Sequence, residues 1–266
     1  MPGWLTGAIL KERAYIMKTC YVVGIGPGRR EDMTLRAVSV LRRVRLITGY
    51  DRYVDIIRRE FADDPLVLGS EFYTTGMTRE IDRCRYALSR AQEGTETALI
   101  CSGDAGIYGM ASPVLELKPE FPDVSVEIVP GVTAASSGAA LAGAPLSHDF
   151  SVISLSDRLT SWNLIARRLK AAAESDMTIV LYNPASHGRP DTLREAVRIR
   201  TDSGLPRGRV CALARHIGRE GERVVLTDLG HLGEEECDMQ TTVFIGSSSS
   251  YAYDRYMVTP RGYRKG

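Results

Sequence analysis

The segment Thr97-Ala98-Leu99-Ile100-Cys101-Ser102-Gly103-Asp104-Ala105-Gly106-Ile107-Tyr108-Gly109 decides how this chain folds. Its first five residues form a short, largely apolar run, the length of a buried strand. A glycine-rich loop follows, and the apolar spacing from Ile107 to Leu117 predicts a helix after it. Strand, loop and helix in that order are the unit of an open α/β sheet, where ligands collect beyond the carboxyl ends of the strands. The loop glycines let main chain approach a ligand closely. Asp104 adds a carboxylate, which serves equally well as a helix cap.

The same alternation extends in both directions. Upstream, the sequence predicts strands at Thr19–Ile25, Arg45–Tyr50 and Leu66–Leu68, with helices at Thr34–Arg43, Asp51–Phe61 and Thr78–Glu93. Asp51 and Thr78 are the expected N-caps of their helices. Ile81, Cys84, Leu88 and Ala91 form an apolar face that Gly94 terminates. Downstream come a strand at Val124–Val129, Pro130-Gly131-Val132-Thr133, and a run of small residues from Ala134 to Ala144. The alternation then resumes with strands at Ser151–Leu155, Thr178–Tyr182, Val210–Ala214, Val224–Thr227 and Thr242–Ile245, and helices at Ser161–Ala173 and Asp191–Thr201. The expectation is a mostly parallel sheet covered by helices, in two α/β domains. The small-residue run sets the division: an N-terminal extension at 1–17, an N-terminal α/β domain at 18–133 and a C-terminal one at 134–266.

Composition narrows the function. Thirty-four Lys and Arg against 33 Asp and Glu leave a formal charge of +1, which gives no electrostatic ground for nucleic acid or an anionic membrane as partner. Five cysteines stand singly, without a Cys-x-x-Cys pair, against a disulfide framework, a zinc site or an iron–sulfur cluster. Cys20, Cys101 and Cys211 fall in strand-like runs and read as small buried hydrophobes. No apolar run is long enough to cross a bilayer, and residues 1–16 lack the order of a signal peptide. A cytoplasmic protein is expected.

Gly24-Ile25-Gly26-Pro27-Gly28 invites comparison with nucleotide-binding loops. A dinucleotide fingerprint requires a small residue at position 29, where helix packs on strand, and Arg29 stands there. No Gly-Lys-Ser/Thr follows, so it is not a P-loop either. The remaining strand-end motifs are Thr133-Ala134 and Leu181-Tyr182-Asn183-Pro184. With the 102–109 loop they converge on one crevice if the two sheets face each other.

Taken together, GIGPG at 24–28, SGDAGIYGM at 102–110, VPGVTAASSGAALAGAPL at 129–146 and LYNP at 181–184 resemble the tetrapyrrole methylase family, from Lys18 to the C-terminus. Further stretches look like its cobalamin-pathway carbon-17 methyltransferases. They are Tyr73-Thr74-Thr75-Gly76-Met77, Pro145-Leu146-Ser147-His148-Asp149-Phe150 with Ile153-Ser154-Leu155-Ser156-Asp157, and Met257-Val258-Thr259-Pro260-Arg261-Gly262-Tyr263. The resemblance implies the class III S-adenosylmethionine methyltransferase architecture, with the active-site cleft between the domains. It implies S-adenosyl-L-methionine as cofactor, held by Pro27, Gly103, Asp104, Ile107, Thr133, Ala134, Tyr182 and Asn183, with Ile217, Thr241 and Thr242 beside them. No metal of the protein's own is implied; any cobalt arrives in the substrate.

The reaction so implied is methylation at carbon 17 of precorrin-3B or cobalt-factor III with ring contraction. Contraction needs proton transfer at a tertiary hydroxyl, so His148, with Asp149 beside it, and His216 are the candidate acid–base residues. Arg158, Arg189 and Arg215 are candidates to meet the carboxylates of the tetrapyrrole. A homodimer is expected on the same resemblance. Three other functions stay open: methylation at another carbon such as carbon 11, a nicotinamide-dependent oxidoreductase, and a non-catalytic corrinoid carrier.

Overall fold

The computed structural model describes residues 18–186 and 188–263, so the extension expected at 1–17 lies outside the described residues. The chain runs through β1 (Thr19–Gly24), α1 (Leu35–Leu41), β2 (Leu46–Tyr50), α2 (Asp51–Glu60), α3 (Pro65–Leu68), β3 (Glu71–Thr75), α4 (Glu80–Gln92), β4 (Thr97–Cys101), α5 (Ala111–Leu117) and β5 (Ser125–Val129). These build a five-stranded sheet of order β3-β2-β4-β1-β5, parallel throughout. Alternate side chains of β1 supply the two faces. Tyr21 and Val23 pack with Ala37, Leu41, Val54 and Ile57, whereas Cys20 and Val22 pack with Cys84, Leu88 and Val114.

The second half comprises α6 (Ala134–Ala142), β6 (Gly143–Ala144), β7 (Phe150–Ser154), α7 (Trp162–Glu174), β8 (Thr178–Tyr182), α8 (Thr192–Asp202), β9 (Val210–Arg215), β10 (Arg223–Asp228), β11 (Thr241–Ile245), β12 (Tyr251–Tyr253) and β13 (Tyr256–Val258). Its main sheet, β10-β9-β11-β8-β7, is mixed. Only β7 and β8 are parallel; β8–β11, β11–β9 and β9–β10 are antiparallel. The mostly parallel expectation therefore fails for this half. Parallel neighbours need a crossover of a dozen or more residues, and the connection from Arg215 to Arg223 is too short for one. The small strands β12 and β13 join β6 in a separate sheet that the alternation pattern did not predict.

Five further differences are local. Leu66–Leu68 lies in α3 rather than a strand, because Asp64 accepts from Leu66 N–H and Pro65 occupies the first helical turn. The strand begins later, at Glu71. Asp51 is the first residue of α2, whose N-cap is Tyr50. Thr78, at φ 70°, precedes the N-cap Arg79, and Arg83 secures this turn by donating to Gly76 O. Ile81 is exposed, not part of the apolar face. α5 starts at Ala111 instead of Ile107, since Ala111 N–H donates to Ala105 O and Tyr108 adopts φ 53°.

Candidate active site between the two sheets

The carboxyl ends of β1, β4 and β5 bring three loops into backbone contact. Gly26 and Gly103 exchange two hydrogen bonds of 3.0 and 2.8 Å. A Cβ at Gly24 would stand 2.6 Å from Gly103 O, and one at Gly131 only 2.1 Å from the same oxygen. Glycine is thus required at these positions by close main-chain approach. Asp104 holds the cluster from the side: its Oδ1 accepts from Gly106 N–H at 2.8 Å and its Oδ2 from Gly131 N–H at 2.9 Å.

The second sheet delivers its residues to the same place. Tyr182, at the end of β8, has its hydroxyl 2.5 Å from Thr133 Oγ1 and accepts from Ala135 N–H at 2.6 Å. It therefore satisfies an otherwise unpaired donor at the start of α6. Burial raises its pKa, so the phenol stays neutral. Asn183 follows at φ 53° and donates to Ser154 Oγ at 2.9 Å. Tyr108 crosses from the 102–110 loop to β7, donating to Val152 O and accepting from Ser154 N–H, each at 3.1 Å. Because β11 runs antiparallel to β8 and β9, it is its beginning, Thr241 and Thr242, that reaches this edge.

These elements enclose a cavity of about 900 Å³. Pro27 lines it from the turn after β1, Gly103, Asp104 and Ile107 from the loop after β4, and Thr133 and Ala134 from the end of β5. Tyr182, Asn183, Ile217, Thr241 and Thr242 line it from the second sheet. The eleven residues that the resemblance associated with the cofactor are thus neighbours in space.

The three acid–base candidates are not lining residues. The His148 imidazole is exposed; its Nδ1 accepts from Asp149 N–H at 2.9 Å and lies 3.3 Å from Asp149 Oδ2. His216, at φ 52°, sits beside the lining residue Ile217 and places Nε2 3.0 Å from Oδ2 of Asp238, which does line the cavity. Burial acts to raise the Asp238 pKa, but hydrogen bonds from His216, Thr241 and Gln240 N–H outweigh it and hold the carboxyl below its usual range. Among the non-glycine residues at positive φ, Tyr108 and Asn183 line the cavity and His216 adjoins it. Such conformations cost energy and concentrate at functional sites.

The arginines proposed for the tetrapyrrole carboxylates do not line the cavity either. Arg215 pairs with Glu235 at 3.2 Å and Arg189 with Asp157 at 3.0 Å, while Arg158 is exposed elsewhere. In their place stand Arg52, Tyr53 and Arg219, which motif reasoning missed. One signal for Arg219 was available: it lies in the loop joining two expected strands, at the same sheet edge as Ile217.

Comparison with known proteins agrees with this arrangement. The model of the tetrapyrrole (corrin/porphyrin) methylases matches residues 19–233. The chain belongs to that family. It is 44% identical to a probable cobalt-factor III C(17)-methyltransferase of Salmonella typhimurium, over 91% of this chain and 98% of that protein. It is 38% identical to the precorrin-3B C(17)-methyltransferase of a Sinorhizobium species, over 92% and 97% respectively. The crystal structure of the methyltransferase CobJ superimposes with a TM-score of 0.83 at 32% identity, covering 91% of this chain and 99% of that one. A tetrapyrrole methylase of two α/β domains, with the cleft between them, is the architecture of this chain.

The cavity's chemistry suits an S-adenosylmethionine. The eleven residues associated with the cofactor include no Lys or Arg, although Arg52, Arg194 and Arg219 line the same cavity, and they present main chain, hydroxyls, aliphatic groups and the Asp104 carboxylate. Such a set can take an apolar nucleoside and a cationic sulfonium. Among the described residues no three His, Cys, Asp or Glu side chains are grouped to hold a metal ion. All five cysteines are free, and burial pushes Cys20 up to about 12 and Cys101 up to about 11, so these two remain thiols. No helix among the described residues is long and apolar enough to cross a membrane.

Proposed function

We propose that this chain is an S-adenosylmethionine-dependent methyltransferase that methylates carbon 17 of a cobalt-factor III or precorrin-3B macrocycle, with ring contraction, in cobalamin biosynthesis. The observation that carries the reading is the convergence of strand ends from both sheets on one cavity, in a chain 44% identical to a probable cobalt-factor III C(17)-methyltransferase. The division at residues 133 and 134 belongs to it; α6, whose Ala135, Ala139 and Ala142 pack with Val180 and Phe244 of the second sheet, supports that boundary. The enzyme is read as cytoplasmic from its scattered single cysteines and as a homodimer on the family resemblance, and sedimentation of the purified chain tests the dimer.

Bound S-adenosylmethionine supplies an activated methyl electrophile, so the protein's task is alignment rather than nucleophilic attack. Asp104 fixes the loop after β4 against Gly131, and Tyr182 fixes Thr133 and the first turn of α6. Cofactor and substrate then meet walls whose positions are already set, so little ordering is left to pay on binding. Tyr108 and Tyr182, with ring centroids 5.7 Å apart, give this wall an aromatic surface.

Where the macrocycle brings a tertiary hydroxyl, as precorrin-3B does, ring contraction requires the proton of that hydroxyl to leave. We assign that proton to the His216–Asp238 pair at the cavity rim, with His148 and Asp149 as the alternative pair. Incubation of the chain with S-adenosylmethionine and each precursor, cobalt-loaded and cobalt-free, should add one methyl by mass and shift the absorbance spectrum. Methylation at carbon 11, or none with cofactor still bound, would sink the assignment. His216→Asn should retain methyl addition while losing the spectral change of contraction; if His148→Asn does so instead, the alternative pair is the right one.

A further inference from the structure

Three arginines line the cavity: Arg52, Arg194 and Arg219. Arg194 is exposed and already has a carboxylate partner, donating to Asp191 at 2.7 Å. Arg52 and Arg219 have no carboxylate within ion-pair distance among the described residues. Arg219 is nevertheless held firmly. Its Nε donates to Pro27 O at 3.2 Å, its Nη1 to Gln240 Oε1 at 2.9 Å and its Nη2 to Ser102 Oγ at 3.0 Å. All three acceptors are neutral, so the guanidinium is positioned without being discharged, and two of its five N–H groups remain unused.

The surroundings raise the cost of that charge. Burial comes first in lowering the Arg219 pKa, and Arg52 and Arg59 push in the same direction. Tyr53 lies close enough to counteract this and lines the same cavity. Its own pKa is raised by burial, so it offers a neutral hydroxyl donor, and none of its contacts with described residues is a hydrogen bond. Asp238 is the nearby carboxylate, and its oxygens are already engaged by His216, Thr241 and Gln240 N–H. A half-buried cation fixed by neutral acceptors, beside a second unpaired cation and a free phenol, is a preorganised receptor for an anion.

We propose that Arg219, with Tyr53 and Arg52, forms a carboxylate subsite in the wall of the cavity. The inference rests on the methyltransferase reading, and within it two ligands carry the required group. One is an acetate or propionate side chain of the tetrapyrrole; the other is the methionine carboxylate of the cofactor.

Calorimetry on the full chain separates them, using S-adenosylhomocysteine, methylthioadenosine (which lacks the amino-acid carboxylate) and cobalt-factor III as probes. Arg219→Gln should weaken one carboxylate ligand by about 10-fold to 100-fold, the effect of losing charge-assisted hydrogen bonds. Arg52→Gln, at an exposed position where folding is not at stake, should weaken the same ligand by roughly 3-fold, and more at low salt than at high salt. Loss for cobalt-factor III alone places a tetrapyrrole side chain on Arg219. Loss for S-adenosylhomocysteine but not methylthioadenosine places the cofactor's carboxylate there. Unchanged affinities overturn the subsite, as does an equal loss that includes methylthioadenosine, which would mark Arg219 as a bolt between the sheets. Failure of the unsubstituted chain to bind either S-adenosylhomocysteine or cobalt-factor III would instead refute the methyltransferase reading itself.

Discussion

Gly131→Ala should abolish cofactor binding and lower the melting temperature by on the order of 10 °C. The added Cβ would stand 2.1 Å from Gly103 O and 2.6 Å from both the carbonyl carbon and oxygen of Gly24. Every one of these atoms is main chain, so no side-chain rotation relieves the clash. Overpacking typically costs about 1–3 kcal/mol, and a backbone-only contact belongs at or beyond the upper end. For a chain of this size each kcal/mol moves the melting temperature by roughly 2–4 °C. The site suffers more than the fold, since the loops forced apart are those carrying Pro27, Gly103, Asp104 and Thr133. Calorimetric titration with S-adenosylhomocysteine and a thermal melt check both parts. A variant that melts and binds like the parent would show that these loops separate at little cost.

Asp104→Asn should weaken S-adenosylhomocysteine binding by about 10-fold to 100-fold while costing roughly 1–3 kcal/mol of stability. The carboxylate accepts from two backbone N–H groups, one in its own loop and one after β5. An asparagine can accept only one of them, because its amide nitrogen is itself a donor. The other N–H is left facing a donor, and the tie between the two loops is lost or reversed. Faster hydrogen exchange at Gly106 or Gly131, read beside the binding isotherm, identifies which tie breaks. If affinity falls with exchange unchanged at both, Asp104 acts on the ligand directly rather than by holding the loops.

The sequence already singled out Asp104, for its carboxylate beside a strand end, whereas Gly131 stood only within the Pro130–Thr133 motif with no role of its own. The loop 102–109 was legible because its glycines follow a strand-like run, a relationship entirely local in the chain. Helix α5 was placed four residues early, because the bond from Ala111 N–H to Ala105 O that holds the loop open has no signature in apolar spacing. The mixed second sheet was hidden for a related reason. Strand-like runs announce themselves individually, but direction is set by how each strand is connected and paired, and β9 to β11 carry no orientation in their composition.

The side chains of the cleft divide similarly. Tyr182 and Asn183 were readable from their place after a strand. The pairing that removes Arg215 and Arg189 from consideration joins residues 20 and 32 apart in sequence, and composition does not reveal it. Arg219 draws its partners Pro27 and Ser102 from 192 and 117 positions away.

By itself the sequence determined the α/β class, the order of nearly all the strands and helices, and the loops that face the cleft, because each depends on periodicity and turn chemistry within a few residues. Only the tertiary structure decided which sheet is parallel, which glycines are sterically compelled and which arginines have a carboxylate partner. Those outcomes depend on distances between segments far apart in the chain, and such distances exist only once the two sheets have packed.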